Sequence, residues 1–153
     1  MKSNASITFE LDLTKIIVPL FISDQIATPP VGSAQFDVST VLAEGEIYAG
    51  IILDESRKPD YHLILLPCEA EKINWADAGK WAAERGGVLP TRREQSLLFA
   101  NLKGEFQSSW YWSGQQHEKE SGWAWYQGFD YGGQYYGRKR YELRARAVRR
   151  LPI

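Results

Sequence analysis

Cysteine is almost missing from this chain: Cys68 is the only one in 153 residues. No intrachain disulfide can form and no cysteine-based zinc cluster can be assembled, so a reducing compartment fits the composition. Histidine is nearly as scarce, with His62 and His117 the only imidazoles. That leaves little material for a relay of nucleophile, base and orienting acid. Long apolar runs are absent too. The stretch from Ile16 to Ile22 is broken by Pro19, is too short to span a bilayer, and lacks a signal-type cleavage site after it. Net charge is nearly absent as well, at −1, which removes any bulk attraction to nucleic acid or an anionic membrane. The expectation is a soluble protein, cytoplasmic where it is made, with no membrane partner.

What the chain does have is material for a core. At 44% hydrophobic content, a single globular domain of this size can bury ~70% of the surface its unfolded form exposes. Charge is unevenly spread. Seven of the eighteen Lys and Arg residues fall between Arg138 and Arg150, leaving the rest of the chain acidic.

Residues 5–18 alternate loosely, with Ile7, Phe9, Leu11 and Leu13 against polar neighbours, the period of a strand with one buried face. Residues 23–32, with Pro29-Pro30 inside, cannot continue a sheet and read as a loop or arm. Residues 1–40 are thus expected to form an N-terminal strand and arm that could serve as a homo-oligomer contact, with the domain proper at 41–153. Glu46 to Leu53 and Tyr61 to Leu66 are two apolar runs joined by a charged, proline-bearing connection, which predicts a hairpin with a solvated tip. Both runs are apolar on both faces, so each strand should be covered on both sides. His62 lies within the second run and reads as structural.

Two helices follow with legible ends. Asn74 is a good N-cap, Asp77 stands where a carboxylate favours the helix dipole, and Gly86-Gly87 supplies a left-handed stop. Trp75, Ala78, Trp81 and Ala82 form its apolar stripe, with both tryptophans read as core. Thr91-Arg92-Arg93-Glu94 is a capping box that starts a second helix at Arg92, with Leu98 and Leu102 one turn apart on its buried side. The order of strands, two helices and strands gives an α+β fold: two helices packed on a twisted antiparallel sheet.

Eleven of the twenty aromatic residues fall between Trp110 and Arg149. Runs at Trp110 to Trp112, Trp123 to Phe129, Gln134 to Tyr136 and Leu143 to Val148 are separated by turns at Gly114, Asp130 to Gly133 and Gly137 to Tyr141, the pattern of an antiparallel meander. In the last run Leu143, Ala145 and Ala147 should face one way, and Arg144, Arg146 and Val148 the other. Its arginines are expected to lie across rings such as Trp123 or Trp125.

The residues GGVLPTRREQ (Gly86 to Gln95), YWSG (Tyr111 to Gly114), AWYQGF (Ala124 to Phe129) and LRARAVRRL (Leu143 to Leu151) together resemble a family of small lectin-like proteins of phages, prophages and bacteria. That resemblance covers roughly residues 45–151. It implies a C-type-lectin-like fold with the first and last strands near each other, a bacterial cytoplasm or a virion as the setting, and binding through loops. Fold alone does not settle function, because relatives with this fold include lectins, receptor-binding phage proteins and formylglycine-generating enzymes. The calcium site of such lectins needs a proline flanked by carboxylate and amide and a Trp-Asn-Asp run, and neither occurs here. Glu118, Glu120, Asp130 and Glu142 are too scattered to assign a metal, and Cys68 alone cannot perform chemistry that takes paired cysteines.

No catalytic residue, metal or cofactor is therefore expected. The candidate contacts lie in two polar, tyrosine-bearing segments, Gln115 to Ser121 and Asp130 to Arg140: Gln115, His117, Asp130, Tyr131, Gln134, Tyr135, Tyr136, Arg138 and Arg140. The leading expectation is a binding module that engages a protein or a saccharide without metal. One alternative is an intracellular accessory protein or inhibitor acting on a host protein or on nucleic acid, with Arg138, Lys139 and Arg140 joining the tyrosines in a base-stacking groove that no known motif supports. Another is a structural part of a virion.

Overall fold

The computed structural model describes residues 37–153. The expected strand at 5–18, the short apolar run at 16–22, the loop at 23–32 and most of the arm lie outside the described residues. The described part is a mixed α+β fold in which two helices pack on two sheets.

Strand β1 (Ile47–Leu53) and strand β2 (Pro59–Leu65) form the expected hairpin, with Ile51 opposite His62. Its tip is closed by Asp54, whose side chain accepts from the Lys58 amide at 2.9 Å, while Arg57 takes a left-handed conformation at φ 65°. Leu63, Ile64 and Leu65 are consecutive and fully buried, so β2 is covered on both faces. The same expectation fails for β1. Ile51 and Leu53 are 41% and 38% exposed because β1 is the edge of the sheet and helix cover reaches only its other face. His62 is buried, with its Nδ1 3.0 Å from the Tyr48 hydroxyl.

A short strand β3 (Ala70–Ile73), which alternation did not announce, leads into helix α1 (Trp75–Glu84). The Asn74 side chain accepts from the Asp77 amide at 3.1 Å. At the other end Gly86 has φ 74°, and the Gly86 and Gly87 amides bond the carbonyls of Ala83 and Ala82 at 3.0 Å each, which answers carbonyls the helix leaves open. Helix α2 (Arg92–Leu102) carries the predicted capping box: Thr91 Oγ1 accepts from Glu94 N, and the Thr91 amide donates back to Glu94 Oε2. Ala78 and Ala82 of α1 are fully buried, while Trp75 and Trp81 are half-buried at the margin of the same cluster.

The aromatic half of the chain supplies β4 (Trp110–Gln116), β5 (Trp123–Gly128), β6 (Gln134–Arg138), β7 (Leu143–Ala145) and β8 (Val148–Pro152). The order of the five-stranded sheet is β3-β7-β4-β5-β6, and that of the three-stranded sheet is β1-β2-β8. The first and last described strands thus share one sheet, on either side of β2. All neighbours are antiparallel except β4 and β7, which run parallel at Tyr111 and Arg144, so the expectation of a purely antiparallel sheet needs that correction. A second correction concerns Gly114: β4 runs through it, with a register irregularity between Trp112 and Gln116, and the turn comes after Gln116.

Tyr111 joins Leu98, Leu63 and Phe129 in one core cluster, while its neighbour Trp112 joins Ala78, Ala82 and Ala145 in the other. Successive strand residues point to opposite faces, so α2 and α1 cover opposite sides of the five-stranded sheet.

The C-terminal run departs from expectation. Leu143 to Val148 is two strands in two sheets, because the chain crosses at Arg146 and Ala147, where the Ala147 carbonyl accepts from Leu66 N at 2.9 Å. Val148 is fully buried, in the core cluster with Leu63 and Leu65. The C-terminal arginines do not lie on Trp123 or Trp125. Arg144 pairs with Glu69 and Glu71, Arg149 with Glu46 at 2.6 Å, and Arg150 with Glu94 at 2.6 Å, while Arg146 donates to the Glu105 and Leu66 carbonyls and lies 5.3 Å from the Phe106 ring centroid. The local pattern showed where the arginines sit along the chain, but their partners lie roughly 40 to 100 positions away.

Candidate functional site

The register of the three aromatic strands sorts their side chains. Trp112 lies opposite Tyr126 and Tyr126 opposite Tyr135, while Trp125 lies opposite Tyr136 and Gln127 opposite Gln134. Alternation then places Trp110, Trp112, Tyr126 and Tyr135 on the α1 side, and Tyr111, Trp125, Gln127, Gln134 and Tyr136 on the α2 side.

On the α2 side most groups are held by specific partners, although Tyr136 is 49% exposed. Gln95 of α2 donates to the Tyr111 carbonyl at 2.9 Å, Gln127 donates to the Gln95 carbonyl at 3.2 Å, and Gln134 donates to Gln127 Oε1 at 2.8 Å and to the Arg92 carbonyl at 2.6 Å. Arg92 returns a bond to Gln134 Oε1 and lays its guanidinium 3.5 Å over the Trp125 ring. On the same side His117 stacks on Trp125 at 5.6 Å and leans on Tyr136 at 4.4 Å. The Trp125 indole donates to Glu118. The Glu118 carboxyl is held below its ordinary value, first by its own backbone amide and then, against a small effect of burial, by that indole and by His117 and Arg92.

The α1 side is covered only in part. The α1 cluster takes Trp112 and Ala124, with Tyr126 half-buried against it, and leaves Trp110, Tyr135 and, just beyond β6, Tyr141 exposed. Trp110 stacks on Tyr126 at 5.4 Å and 28°, and Tyr126 meets Tyr135 at 6.1 Å and 33°. Trp110, Tyr135 and Tyr141 are 49%, 55% and 46% exposed. Glycines lie beneath these rings. A Cβ at Gly128 would sit 3.3 Å from the Trp110 ring, one at Gly133 2.8 Å from the Tyr135 ring, and one at Gly137 3.0 Å from Tyr126 and 3.1 Å from Tyr141. With no side chain at these positions the rings pack close to the backbone, and Trp110, Tyr135 and Tyr141 stay about half exposed. Burial, then the nearby Tyr141 and Tyr135, raise the Tyr126 phenol above its ordinary value, so its hydroxyl is protonated at neutral pH.

The nine residues singled out from sequence do not form one surface. Tyr135 is on the exposed ring face, whereas Tyr136, the next residue, points to the α2 side beside His117. Gln134 is committed to Arg92 and Gln127, and Gln115 accepts from the Arg92 amide at 2.7 Å, which caps α2. Asp130 accepts from the Tyr131 amide within its own turn, and Tyr131 stands at the tip, 92% exposed. Arg138 lies 5.7 Å from the Trp123 ring centroid, and Arg140 is exposed. Trp110, Tyr126 and Tyr141 were not singled out. The available signal was the pairing of aromatic and glycine positions at two-residue spacing, as in Tyr126 with Gly128 and Tyr135 with Gly137 and Gly133.

Among the described residues no group of three or more His, Cys, Asp or Glu side chains is placed to hold a metal ion, and no helix is long and apolar enough to cross a membrane. Comparison with models of known protein families matches none of them, and comparison with curated proteins finds no match.

Proposed function

We propose that this domain is a non-enzymatic recognition module that grips a saccharide, without metal, on the rings of Trp110, Tyr126, Tyr135 and Tyr141. The observation that carries the reading is the group of neighbouring rings packed close to Gly128, Gly133 and Gly137, with Trp110, Tyr135 and Tyr141 about half exposed and Tyr126 half-buried between Trp110 and Tyr135. A sugar ring offers a flat patch of C–H groups rimmed by hydroxyls. A row of indole and phenol rings answers both, with apolar faces for the patch and polar edges for the rim. The lectin-like reading of the fold belongs to this proposal, supported by the order of strands, two helices and strands and by β1 and β8 sharing a sheet. So does a phage or prophage setting.

Screening the chain on a glycan array tests it. Binding is expected, is unchanged by chelator, and is lost in Tyr135→Ala and Trp110→Ala. Binding indifferent to both substitutions defeats the reading. Nucleic acid remains the contrasting partner, since bases also stack on rings. It has less support here, because Arg144, Arg146, Arg149 and Arg150 are engaged by protein groups and Arg138 lies over Trp123. A complex that weakens steeply with salt would favour it instead.

A further inference from the structure

We propose that the cleft at the Trp110 end of the ring face is a specificity subsite for an uncharged sugar residue, with Lys72 and Glu142 as its donor and acceptor; this rests on the saccharide reading above. The cleft, of about 410 Å³, opens where β4 and β7 begin and is bounded by Ser109, Trp110, Glu142, Leu143, Glu71 and Lys72. Trp110 belongs to both the ring face and the cleft, so a chain lying on the rings reaches the cleft without leaving the protein.

Two features of the cleft point to a ligand. The first is the backbone at Lys72, which takes φ 49°, a left-handed conformation that is costly for a residue with a Cβ. It falls where the pairing of β3 with β7 slips between Ala70 and Ile73, and irregularities of this kind re-aim side chains. The second is charge. Arg144 is consumed by Glu69 and Glu71, so the Glu71 carboxylate is already answered. Lys72 and Glu142 are exposed, and neither has an ion-pair partner among the described residues. Counted over the side chains that line the cleft, Glu71 and Glu142 balance Lys72 and Arg144, and Glu69, the other carboxylate on Arg144, is not among them. An anionic sugar would gain from Lys72 and lose against Glu142, and a cationic one the reverse. A hydroxyl both donates and accepts, so adjacent hydroxyls of a neutral sugar can satisfy both groups while the ring stacks on the Trp110 indole.

The test is calorimetric titration of the full chain with short neutral gluco-, manno- and galacto-oligosaccharides and with uronate oligosaccharides, at low and at high salt. Two substitutions leave the fold undisturbed: Lys72→Gly keeps a backbone that glycine prefers, and Glu142→Gln keeps the shape while removing the charge. The expected result is binding of a neutral oligosaccharide, insensitive to salt, weakened about ten-fold or more by each substitution, with uronates bound poorly. Preference for uronates with steep salt dependence overturns the subsite. So does neutral binding that falls in Tyr135→Ala yet ignores both cleft substitutions, an outcome that leaves the ring face standing. Absence of binding to every oligosaccharide, or binding indifferent to Tyr135→Ala, brings down the saccharide reading and the subsite with it.

Discussion

On the α2 side of strands β4, β5 and β6, side chains are tied to the helix and to each other: Trp125 lies under the Arg92 guanidinium with Glu118 on its indole, and Gln95, Gln127 and Gln134 form a run of hydrogen bonds from helix to sheet. On the α1 side of the same strands, Trp110, Tyr135 and Tyr141 are about half exposed over glycine backbone. Both faces carry aromatic rings, with glutamines among them on the α2 side and alanine and glycines on the α1 side. What differs is the partner, since α2 ties down Gln127 and Gln134 and holds Trp125 under Arg92 while leaving Tyr136 half exposed, and α1 covers Trp112 and Ala124 on the other side. Parity therefore decides what an aromatic residue in these strands packs against: Tyr136 leans on His117 and Trp125 and Tyr135 on Tyr126, while both rings stay about half exposed.

That contrast can be broken by substitution. The largest effect should come from Phe129→Ala. Phe129 is buried behind the α2 side, stacked on Phe106 at 3.9 Å and edge-on to Phe99 and Tyr111, and its removal should cost about 3–5 kcal/mol in urea unfolding. A loss under about 1 kcal/mol would mean that the closed side is not the stabilising one.

Glu94→Gln comes next. The carboxylate is fully buried and accepts from Tyr61, Thr91 N and Arg150, joining α2 to β2 and β8. Breaking a buried pair costs about 3–5 kcal/mol, and partial exposure of Arg150 puts the effect near about 3. Burial raises the Glu94 pKa, but Arg150, the Thr91 amide and Tyr61 outweigh it and hold the carboxyl below its ordinary 4.5. Its contribution is therefore fully present above that value and is lost as pH falls through the lower folded-state value. The acid limb of the wild-type stability profile should be shallower in Glu94→Gln, and unchanged acid sensitivity would assign that limb to other carboxylates, Glu46 first, which Arg149 holds low in the same way.

Gly137→Ala should cost about 1 kcal/mol, as its methyl presses Tyr126 and Tyr141 off the sheet, and should weaken ligand binding at the same time. Smallest in stability is Tyr135→Ala, expected to stay within about 0.5 kcal/mol of wild type while reducing saccharide capture more than Tyr136→Ala does. If Tyr136→Ala proves the more damaging to capture, the contact face is the α2 side.

Much of the frame was legible because its signals are local. The Asn74 cap, the Gly86-Gly87 stop and the Thr91–Glu94 box each act within about four residues, and each is found as expected. The candidate site was legible only in part. Tyrosine and glycine content marked the hairpin that carries Tyr135 and Gly137, but Gln115 and Gln134, selected as contacts, are engaged by α2. A polar side chain beside a helix reads the same in sequence as one beside water.

By itself the sequence determined the helices, their ends, the first hairpin and the alternation along each aromatic strand, since these follow from steric and hydrogen-bonding preferences of neighbouring residues. Tertiary structure alone decided what each aromatic ring packs against, that Leu143 to Val148 divides between two sheets, and that Glu46, Glu69 and Glu94 receive the C-terminal arginines. Those outcomes depend on where α1 and α2 come to rest and on contacts across roughly 56 to 103 positions, distances over which a local pattern carries no information about its partner.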